Sequence, residues 1–241
     1  MKRFGFIVVL LSHFLFASVS PKMVWADASL KDVVATLEQG YNSLNDVQAD
    51  FSQRTLIASI KKEQHSSGML FIKKPAGAAA MFRFNYIKPQ QQIVSNGKTL
   101  WFYLPENKLV MVSDVTNLFE GENGVTLNYL TGMGHVSRDF AISFVGNGRD
   151  KKGNYVLELI PKKKSKVMTK LQITVATGAV EQFMQNGKAR DSFPIVSSVV
   201  YDTFGNKTSI DFSKIKTNRG MSVSLFSFKI PAGVEVIKRP N

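Results

Sequence analysis

Cysteine is absent from this chain of 241 residues. The protein therefore has no disulfide to cross-link its fold, no thiolate nucleophile and no thiol that a lipid could acylate. Histidine is scarce, and only His65 and His135 lie beyond the first 26 residues. Turn residues flank both of them, so solvated side chains are the favoured interpretation and a two-histidine metal site is the alternative.

Sequence motifs of catalysis are missing as well. The chain contains neither the metalloprotease pattern H-E-x-x-H nor the hydrolase pattern G-x-S-x-G. Gly146 and Gly148 have no third glycine in register, so they indicate a turn and not a phosphate-binding loop. The candidate carboxylates are spread over separate predicted elements: Asp50, Asp114, Asp202 and Asp211. We therefore predict a protein that is not an enzyme and that uses no cofactor and no metal ion.

The first 26 residues have the organisation of a secretory signal. Lys2 and Arg3 precede an apolar run over residues 4–19, and Val24-Trp25-Ala26 resembles a small-x-small cleavage site. We predict that the signal spans residues 1–26 and is cut after Ala26. The alternative is an uncleaved anchor, which needs ~20 apolar residues to span a membrane. The run here is shorter, and Pro21 follows it closely.

Negative charge is in the minority. The first 26 residues hold three of the 31 basic residues and none of the 18 acidic ones, so residues 27–241 carry a formal charge of +10. This excess suits a protein that contacts anionic surfaces, such as phospholipid headgroups or acidic partners. It does not predict nucleic-acid binding, because the aromatic residues lie within strand patterns and not among the lysines. The densest basic run, residues 161–166 with Lys170 beyond it, is interpreted as a solvated loop, with steering toward an acidic partner as the alternative.

Alternating apolar runs dominate the chain beyond the signal, and no internal repeat or low-complexity linker divides it. The first set of β-type runs lies near residues 46–59, 66–74, 80–87, 91–95, 98–104 and 108–112. The second set lies near residues 139–145, 154–160, 168–176, 180–186, 194–203, 207–214 and 222–229. Asn96-Gly97 fits a type I′ hairpin turn. The pattern predicts one mainly β domain built from antiparallel strands.

Two regions interrupt the strand pattern. Residues 27–42 predict an amphipathic helix, which Ser29 or Asp27 could cap. Its apolar stripe is Leu30, Val33, Val34, Leu37 and Tyr41. Residues 113–134 contain two short apolar helical stretches flanked by glycines. They are either connectors that pack on the core or a lid that moves.

Aromatic residues are abundant, with 18 phenylalanines. Phe82, Phe84 and Tyr86 alternate along one strand, and Trp101 and Tyr103 along another, so each set lies on a single face of its strand. For any one ring, a place in the core is the simpler interpretation. The alternative is that the sheet curls into a barrel or half-barrel whose interior is only partly filled and binds apolar ligands.

The order of these blocks resembles a known family. The central blocks are Phe71-Ile72-Lys73-Lys74-Pro75, Phe82-Arg83-Phe84 and the segment Q-I-V-S-N-G-K-T-L-W-F-Y at residues 92–103. Weaker matches lie at residues 47–53 and 226–237. Together they are similar to the periplasmic outer-membrane lipoprotein carrier family (LolA), and the resemblance covers nearly all of the chain beyond the signal.

The resemblance implies an antiparallel, unclosed half β-barrel with an α-helical lid. It implies a single domain over residues 27–241, with lid helices near 27–42 and 113–131. The function it implies is that of a monomeric periplasmic chaperone with transient contact to membrane surfaces. Such a chaperone takes acylated lipoproteins from an inner-membrane lipoprotein-releasing transporter and hands them to an outer-membrane acceptor. The alternatives are a carrier of another amphiphile, such as a glycolipid, and a protein-binding periplasmic regulator.

Candidate site residues follow from the resemblance and the strand patterns together. The predicted acyl-chain cavity consists of Phe51, Phe71, Phe82, Phe84, Tyr86, Trp101 and Tyr103. The predicted lid residues are Leu118, Phe119, Leu127 and Leu130. Lys74 stands where the family commonly has Arg, and we expect it to bond carbonyls at the end of a lid helix or the N-terminal helix, with Arg83 sharing that role. Trp101 is the only tryptophan beyond the signal, and we expect its emission to respond to an acylated lipopeptide.

Overall fold

The structure of the protein, a computed structural model, describes residues 27–77, 79–115, 135–165, 168–189 and 193–238. The predicted signal at residues 1–26 lies outside the described residues. The four predicted lid residues, Leu118, Phe119, Leu127 and Leu130, lie outside them as well.

Within these ranges twelve β-strands form a single sheet. The strands of the first set are β1 Asp46–Ile57, β2 Lys62–Lys73, β3 Met81–Lys88, β4 Gln91–Ser95, β5 Thr99–Leu104 and β6 Leu109–Asp114. The remaining strands are β7 Phe140–Arg149, β8 Tyr155–Pro161, β9 Met168–Val175, β10 Ile195–Asp202, β11 Lys207–Thr217 and β12 Glu235–Lys238. Turn residues and prolines separate alternating runs in each set, and this alternation is why the segments extend as strands.

The strand order is β12-β6-β5-β4-β3-β2-β1-β11-β10-β9-β8-β7. Two meanders therefore meet where β1 pairs with β11. Neighbouring strands are antiparallel except β12, which runs parallel to β6. Over the described residues no pairing joins the edge strands β7 and β12, so the sheet is unclosed. The predicted fold class, a mainly β half-barrel, is confirmed.

Helix α1 spans Leu30–Asn42, so it begins three residues after the predicted start at Asp27. Ser29 caps it: the Ser29 Oγ accepts a hydrogen bond from the Asp32 N–H at 3.2 Å, and the Asp32 carboxylate accepts one from the Ser29 N–H at 3.2 Å. This reciprocal pair satisfies two N–H groups that a helix start otherwise leaves open. The buried residues of α1 are Val33, Thr36, Leu37, Gly40 and Tyr41.

Two of the predicted strands are wrong. Residues 180–186 belong to an α-helix, α3, which spans Thr177–Asn186. Val180, Phe183 and Met184 have the helical spacing i, i+3, i+4, and Gly187 ends the helix in the left-handed conformation with φ 66°. The other predicted strand, residues 222–229, contains a short 3-10 turn at Val223–Phe226 instead. A third helix, α2, is the single turn Val136–Asp139.

The turn at Asn96-Gly97 is not the predicted type I′. That turn needs a positive φ at both central residues, and here only Gly97 has one, at +88°. The Asn96 side chain explains the difference, because its Oδ1 accepts hydrogen bonds from the N–H groups of Lys98 and Thr99 at 2.9 and 2.8 Å. This local bonding holds Asn96 in an Asx-type turn.

The pleat of the sheet divides its side chains between two faces. The inner face packs against α1 and carries most of the core, for example Phe51, Leu70 and Leu171. The outer face differs between the two meanders. On β7 and β11 it is open to solvent, as at Ser143 and Asp211.

On β3–β6 the outer face is covered by residues 218–238, called the C-terminal segment below. Phe226 of this segment is fully buried. Leu225 accepts a hydrogen bond through its carbonyl from Arg83 of β3 at 3.1 Å. The segment ends as β12 beside β6.

Candidate functional site

Four aromatic rings form a contiguous group on the inner face, the inner aromatic cluster: Phe51, Phe82, Phe84 and Tyr86. The Phe51 ring lies edge-on to Phe84 and Tyr86, with centroids 5.6 and 4.9 Å apart. Phe84 is 1% exposed, so the cluster is packed core and not an open surface in this state. The structure therefore brings together four of the seven predicted cavity residues.

Gly68 makes room for this cluster. It pairs with Phe51 of β1 and with Tyr86 of β3, so it lies between the two rings on the inner face. A Cβ at this position would lie 2.0 Å from the Asn85 carbonyl oxygen, which no side chain can tolerate. The absent side chain lets the two rings meet across β2.

The other three predicted cavity residues, Phe71, Trp101 and Tyr103, do not share this face. Register shows why: Phe84 pairs with Ile93 and Ile93 with Phe102, whereas Trp101 pairs with Val94. Side chains of directly paired residues point to the same side, so on β5 Phe102 lies on the inner face and Trp101 does not. The prediction that all seven residues line one surface is wrong, because an offset of one residue moves a side chain to the opposite face.

A different part of the chain covers the rings of Trp101 and Tyr103 on the outer face. The Phe228 ring lies 6.3 Å from Trp101 and 5.5 Å from Tyr103, and these three residues are called the outer aromatic patch. Phe71, also on the outer side of β2, pairs with Arg83. Trp101 therefore does not border the inner face, and the expectation that its emission reports a ligand there loses its structural basis.

Lys74 makes the contact that the sequence predicts for it. Its Nζ donates to the Tyr41 carbonyl oxygen at 2.7 Å, at the C-terminal end of α1 where the helix dipole is negative. The ammonium also lies 4.5 Å from the centroid of the Tyr41 ring. Burial lowers the pKa of Lys74 below its ordinary value. The role of Lys74 in holding a lid stays a prediction.

Arg83 does not share that contact. It lies on the outer face, where its Nε donates to Asn85 Oδ1 at 2.9 Å and its Nη2 to Gln92 Oε1 at 3.3 Å. Its Nη1 donates to the Leu225 carbonyl oxygen of the C-terminal segment at 3.1 Å. Arg83 therefore fastens the outer cover, and the expectation that it helps Lys74 is wrong because strand alternation turns it away from α1.

The N-terminal end of α1 has its own polar fastening, which the sequence did not indicate. Arg149 of β7 donates to Asp27 and to the Tyr155 hydroxyl, and its guanidinium lies 3.6 Å from the centroid of the Tyr155 ring. The same hydroxyl accepts from the Ala28 N–H at 3.0 Å. Hydrogen bonding to Arg149 holds the pKa of Asp27 below its ordinary value. Helix α1 is thus tied to the sheet at both ends.

Asp46 is the other structural residue that sequence reasoning missed. It is 2% exposed at the start of β1, and its carboxylate accepts from the N–H groups of Arg219, Gly220 and Met221 at 2.8, 3.0 and 3.0 Å. Three charge-assisted bonds to one carboxylate fix the point where the C-terminal segment leaves β11. A lone aspartate at a strand start carries no motif that announces this role.

An open cavity of about 540 Å³ lies on the inner face beside the inner aromatic cluster, and we call it the polar pocket. Its polar lining comes mainly from Gln53, Thr55, Gln64, Ser66, Gln91 and Thr208. Its apolar lining comes mainly from Tyr86, Ile93 and Phe102. The Tyr86 hydroxyl donates to Gln53 Oε1 at 3.0 Å, and burial raises the pKa of this phenol. Of the predicted cavity residues only Tyr86 lines this pocket.

The basic run behaves as a loop in its described part. Lys162 donates to the Ser137 carbonyl oxygen at 2.9 Å, and Lys163 and Lys164 are exposed. Lys170 pairs with Glu158 at 2.9 Å. Across the described ranges no group of three or more His, Cys, Asp or Glu side chains could hold a metal ion. Among the same residues no helix is long and apolar enough to cross a membrane.

Comparison with known proteins matches these features to one family. Residues 42–229 match the family described as "Outer membrane lipoprotein carrier protein LolA". An outer-membrane lipoprotein carrier protein from Methylococcus capsulatus is 28% identical over 228 residues, covering 93% of this chain and 98% of that protein. The protein of that name from Azotobacter vinelandii is 28% identical over 236 residues, covering 97% and 98%. The one from Nitrosomonas europaea is 29% identical over 207 residues, covering 85% and 88%. The chain belongs to the outer-membrane lipoprotein carrier protein (LolA) family.

Proposed function

We propose that the protein is a periplasmic carrier, without enzymatic activity, that binds the acyl chains of lipoproteins on the inner face of its half-barrel. In this proposal it works as a monomer. It receives lipoproteins from an inner-membrane lipoprotein-releasing transporter and delivers them to an outer-membrane acceptor. Family membership and the names of the relatives support the carrier role, and the predicted signal at residues 1–26 supports export.

The observation that carries the proposal is the way α1 covers the inner face. Leu37 and Val33 are fully buried against the sheet, so α1 occupies apolar surface that an acyl chain would need. Polar contacts of Lys74 and Arg149 hold the helix near its ends, and the Glu38 carboxylate accepts from the Ser137 N–H and hydroxyl at 2.7 Å each. Because these contacts are few and local, α1 can leave the sheet while the strands remain paired.

The free energies of burial favour replacement of α1 by an acyl chain on the inner face. Displacing α1 exposes three of its buried apolar side chains, Val33, Leu37 and Tyr41. This exposure costs roughly 1.5–3 kcal/mol for each side chain, or about 5–9 kcal/mol in total. Burying one acyl chain of about 15 methylene groups returns roughly 0.8 kcal/mol per group, or about 12 kcal/mol. One chain therefore offsets the displacement of α1, and a second or third chain makes the loaded state strongly favoured. Release then needs an acceptor whose own apolar site binds the chains better.

The direct test uses the protein purified from the periplasm of an expressing cell. Mass spectrometry of the purified protein should detect acylated cargo. After delipidation it should bind a dipalmitoyl lipopeptide saturably, whereas the same peptide without acyl chains should not bind. Absence of both co-purified lipid and saturable lipopeptide binding would contradict the carrier function. The transporter step is tested separately, by asking whether the protein releases an acylated lipoprotein from inner-membrane vesicles into the soluble fraction.

A further inference from the structure

The polar pocket differs from the rest of the inner face. Elsewhere this face is mainly aliphatic and aromatic, but near the ends of β1, β2 and β11 most of the side chains carry amides and hydroxyls. The side chains of Gln64, Ser66 and Gln91 make no hydrogen bond to another residue within the described ranges. Their donors and acceptors are therefore available to a bound molecule.

Among the described residues no lysine or arginine lines the polar pocket, although the chain carries 31 basic residues. Strand alternation explains this, because Arg54 and Lys207, the charged neighbours of Thr55 and Thr208, point to the outer face. Lys207, for example, lies 5.7 Å from the ring centroid of Tyr201 on that side. An anionic headgroup placed in the pocket would lose water without gaining an opposite charge.

Besides the phenol of Tyr86, two titratable residues border the pocket, Asp202 and His65, and neither changes this conclusion. The Asp202 carboxylate is committed to its own turn, where it accepts from the N–H groups of Phe204 and Asn206 at 2.8 Å each. As an anion it would repel a phosphate. The His65 side chain is 68% exposed, and its Nε2 lies 3.5 Å from a Glu63 carboxylate oxygen. It points away from the inner face, because His65 pairs with Arg54.

The polar pocket is continuous with the acyl-binding surface proposed above. Tyr86 belongs to both, since its ring packs 4.9 Å from Phe51 while its hydroxyl bonds Gln53 in the pocket. Ile93 and Phe102 form the remaining apolar lining. A molecule with an acyl chain on the inner aromatic cluster would thus place its head in the polar pocket.

From this arrangement we propose that the polar pocket receives the uncharged, hydrogen-bonding head of an acylated ligand and selects against lipids with a phosphate head. Amide and ester groups next to the acyl chains of a lipopeptide have this chemistry, and so do the hydroxyls of a neutral glycolipid. The volume of about 540 Å³ is enough for several such groups. The inference rests on the proposed function, because it assumes that acyl chains bind on the inner face.

Displacement of a fluorescent fatty-acid probe from the delipidated protein tests this selectivity. The competing ligands are a dipalmitoyl lipopeptide with an uncharged peptide, dipalmitoyl phosphatidylglycerol and a neutral dipalmitoyl glycolipid. The native protein should bind the lipopeptide at least tenfold more tightly than the phospholipid. Gln64→Leu together with Gln91→Leu should weaken lipopeptide binding roughly three- to tenfold, which corresponds to one or two lost hydrogen bonds. Fatty-acid binding should stay unchanged.

A variant that adds a positive charge to the polar pocket tests the same selectivity in the opposite direction. Gln64→Lys places a cation at the pocket and should raise phosphatidylglycerol affinity roughly tenfold. Ser67→Lys is the matched control, because it adds the same charge to the same strand on the outer face and should leave that affinity unchanged. Gln64 and Ser67 are both exposed, so both variants should fold.

The outcomes separate the two proposals. Equal affinity of the native protein for lipopeptide and phospholipid, with no response to Gln64→Lys, would overturn the selectivity while leaving an acyl carrier. Failure to bind any of the acyl compounds would overturn the carrier function and the pocket with it. Glycolipid binding that falls in the Gln64→Leu, Gln91→Leu variant would support the pocket and identify a sugar as the head that it takes.

Discussion

Both faces of strands β3–β5 carry aromatic side chains, yet different parts of the chain cover them. The inner aromatic cluster lies in the core beneath α1, which is held by polar contacts of Lys74 and Arg149 near its ends, by the bond between Glu38 and Ser137, and by packing against α3. The outer aromatic patch lies beneath the C-terminal segment, which is held by the buried Asp46, by Arg83 and by strand pairing of β12 with β6.

The comparison shows that aromatic content alone does not locate a binding surface. What differs is how each cover is attached. Backbone pairing and a buried carboxylate bind the outer cover along its length, so removing it would leave buried polar groups without partners. The inner cover is a capped helix that keeps its own backbone bonds when it moves. We therefore expect ligands to displace α1 from the inner face and not to displace the C-terminal segment from the outer face.

Truncating a ring on each face should give the largest difference. Phe84→Ala should destabilise the fold by about 3–5 kcal/mol, because the ring is fully enclosed and its removal leaves a cavity. Phe228→Ala should cost only about 1–2 kcal/mol, because that ring is partly exposed. Urea unfolding of both variants measures the two values. Equal losses would mean that the two faces are not packed as described.

Removing the Asp46 carboxylate should release the outer cover. Asp46→Ala leaves the N–H groups of Arg219, Gly220 and Met221 without their acceptor, which should cost about 3 kcal/mol. Trp101 emission should shift to the red, and protease should cut within the C-terminal segment. Asp50→Ala is the control, since its partner Lys214 is 80% exposed and the pair contributes about 0–1 kcal/mol. A variant Asp46→Ala as stable and protease-resistant as the control would refute this attachment.

Removing the Lys74 contact should loosen the inner cover at one end. Lys74→Leu deletes the bond to the Tyr41 carbonyl and should destabilise the protein by about 1–2 kcal/mol. Amide hydrogen exchange in the last turn of α1 should become faster, and lipopeptide should bind more quickly. Amide hydrogen exchange in the strands should stay the same. Lys74→Arg keeps a donor and should behave like the native protein. Unchanged exchange in α1 for Lys74→Leu would show that this bond does not hold the helix.

Acid should loosen α1 at its other end. Because Arg149 depresses the folded-state pKa of Asp27, this contact stabilises the fold above the ordinary carboxyl pKa and is lost as the pH falls through the lower folded value. Amide protection in the first turn of α1 should therefore decrease below about pH 4. The decrease should be absent in Asp27→Asn, whose protection is low throughout. Identical pH profiles in the two proteins would exclude Asp27 as the cause.

Much of the fold could be predicted from the sequence, because turn residues separate the strands and alternation marks them. The predicted Lys74 contact came from the family resemblance, and the negative C-terminal end of a helix gives its physical reason. The face on which Trp101 lies could not be predicted, since it depends on the β4–β5 register and a shift of one residue reverses it.

Other features were hidden for different physical reasons. The α3 sequence contains Gly178 and is only ten residues long, so its local preference for helix is weak. Asp46 acts through Arg219, 173 positions away, and Arg149 through Asp27, 122 positions away, and no local pattern records such contacts. The polar pocket likewise forms only when β1, β2 and β11 come together.

The central claim, that acyl chains enter the inner face, can be tested with one emission measurement on two proteins. The first has native Trp101 as its only tryptophan beyond the signal; the second carries Trp101→Phe and Phe102→Trp, which moves the indole to the inner face. Titration with dipalmitoyl lipopeptide should give a saturable shift in the second protein and none in the first. A shift from Trp101 with none from the inner indole would place the ligand under the C-terminal segment and contradict the account.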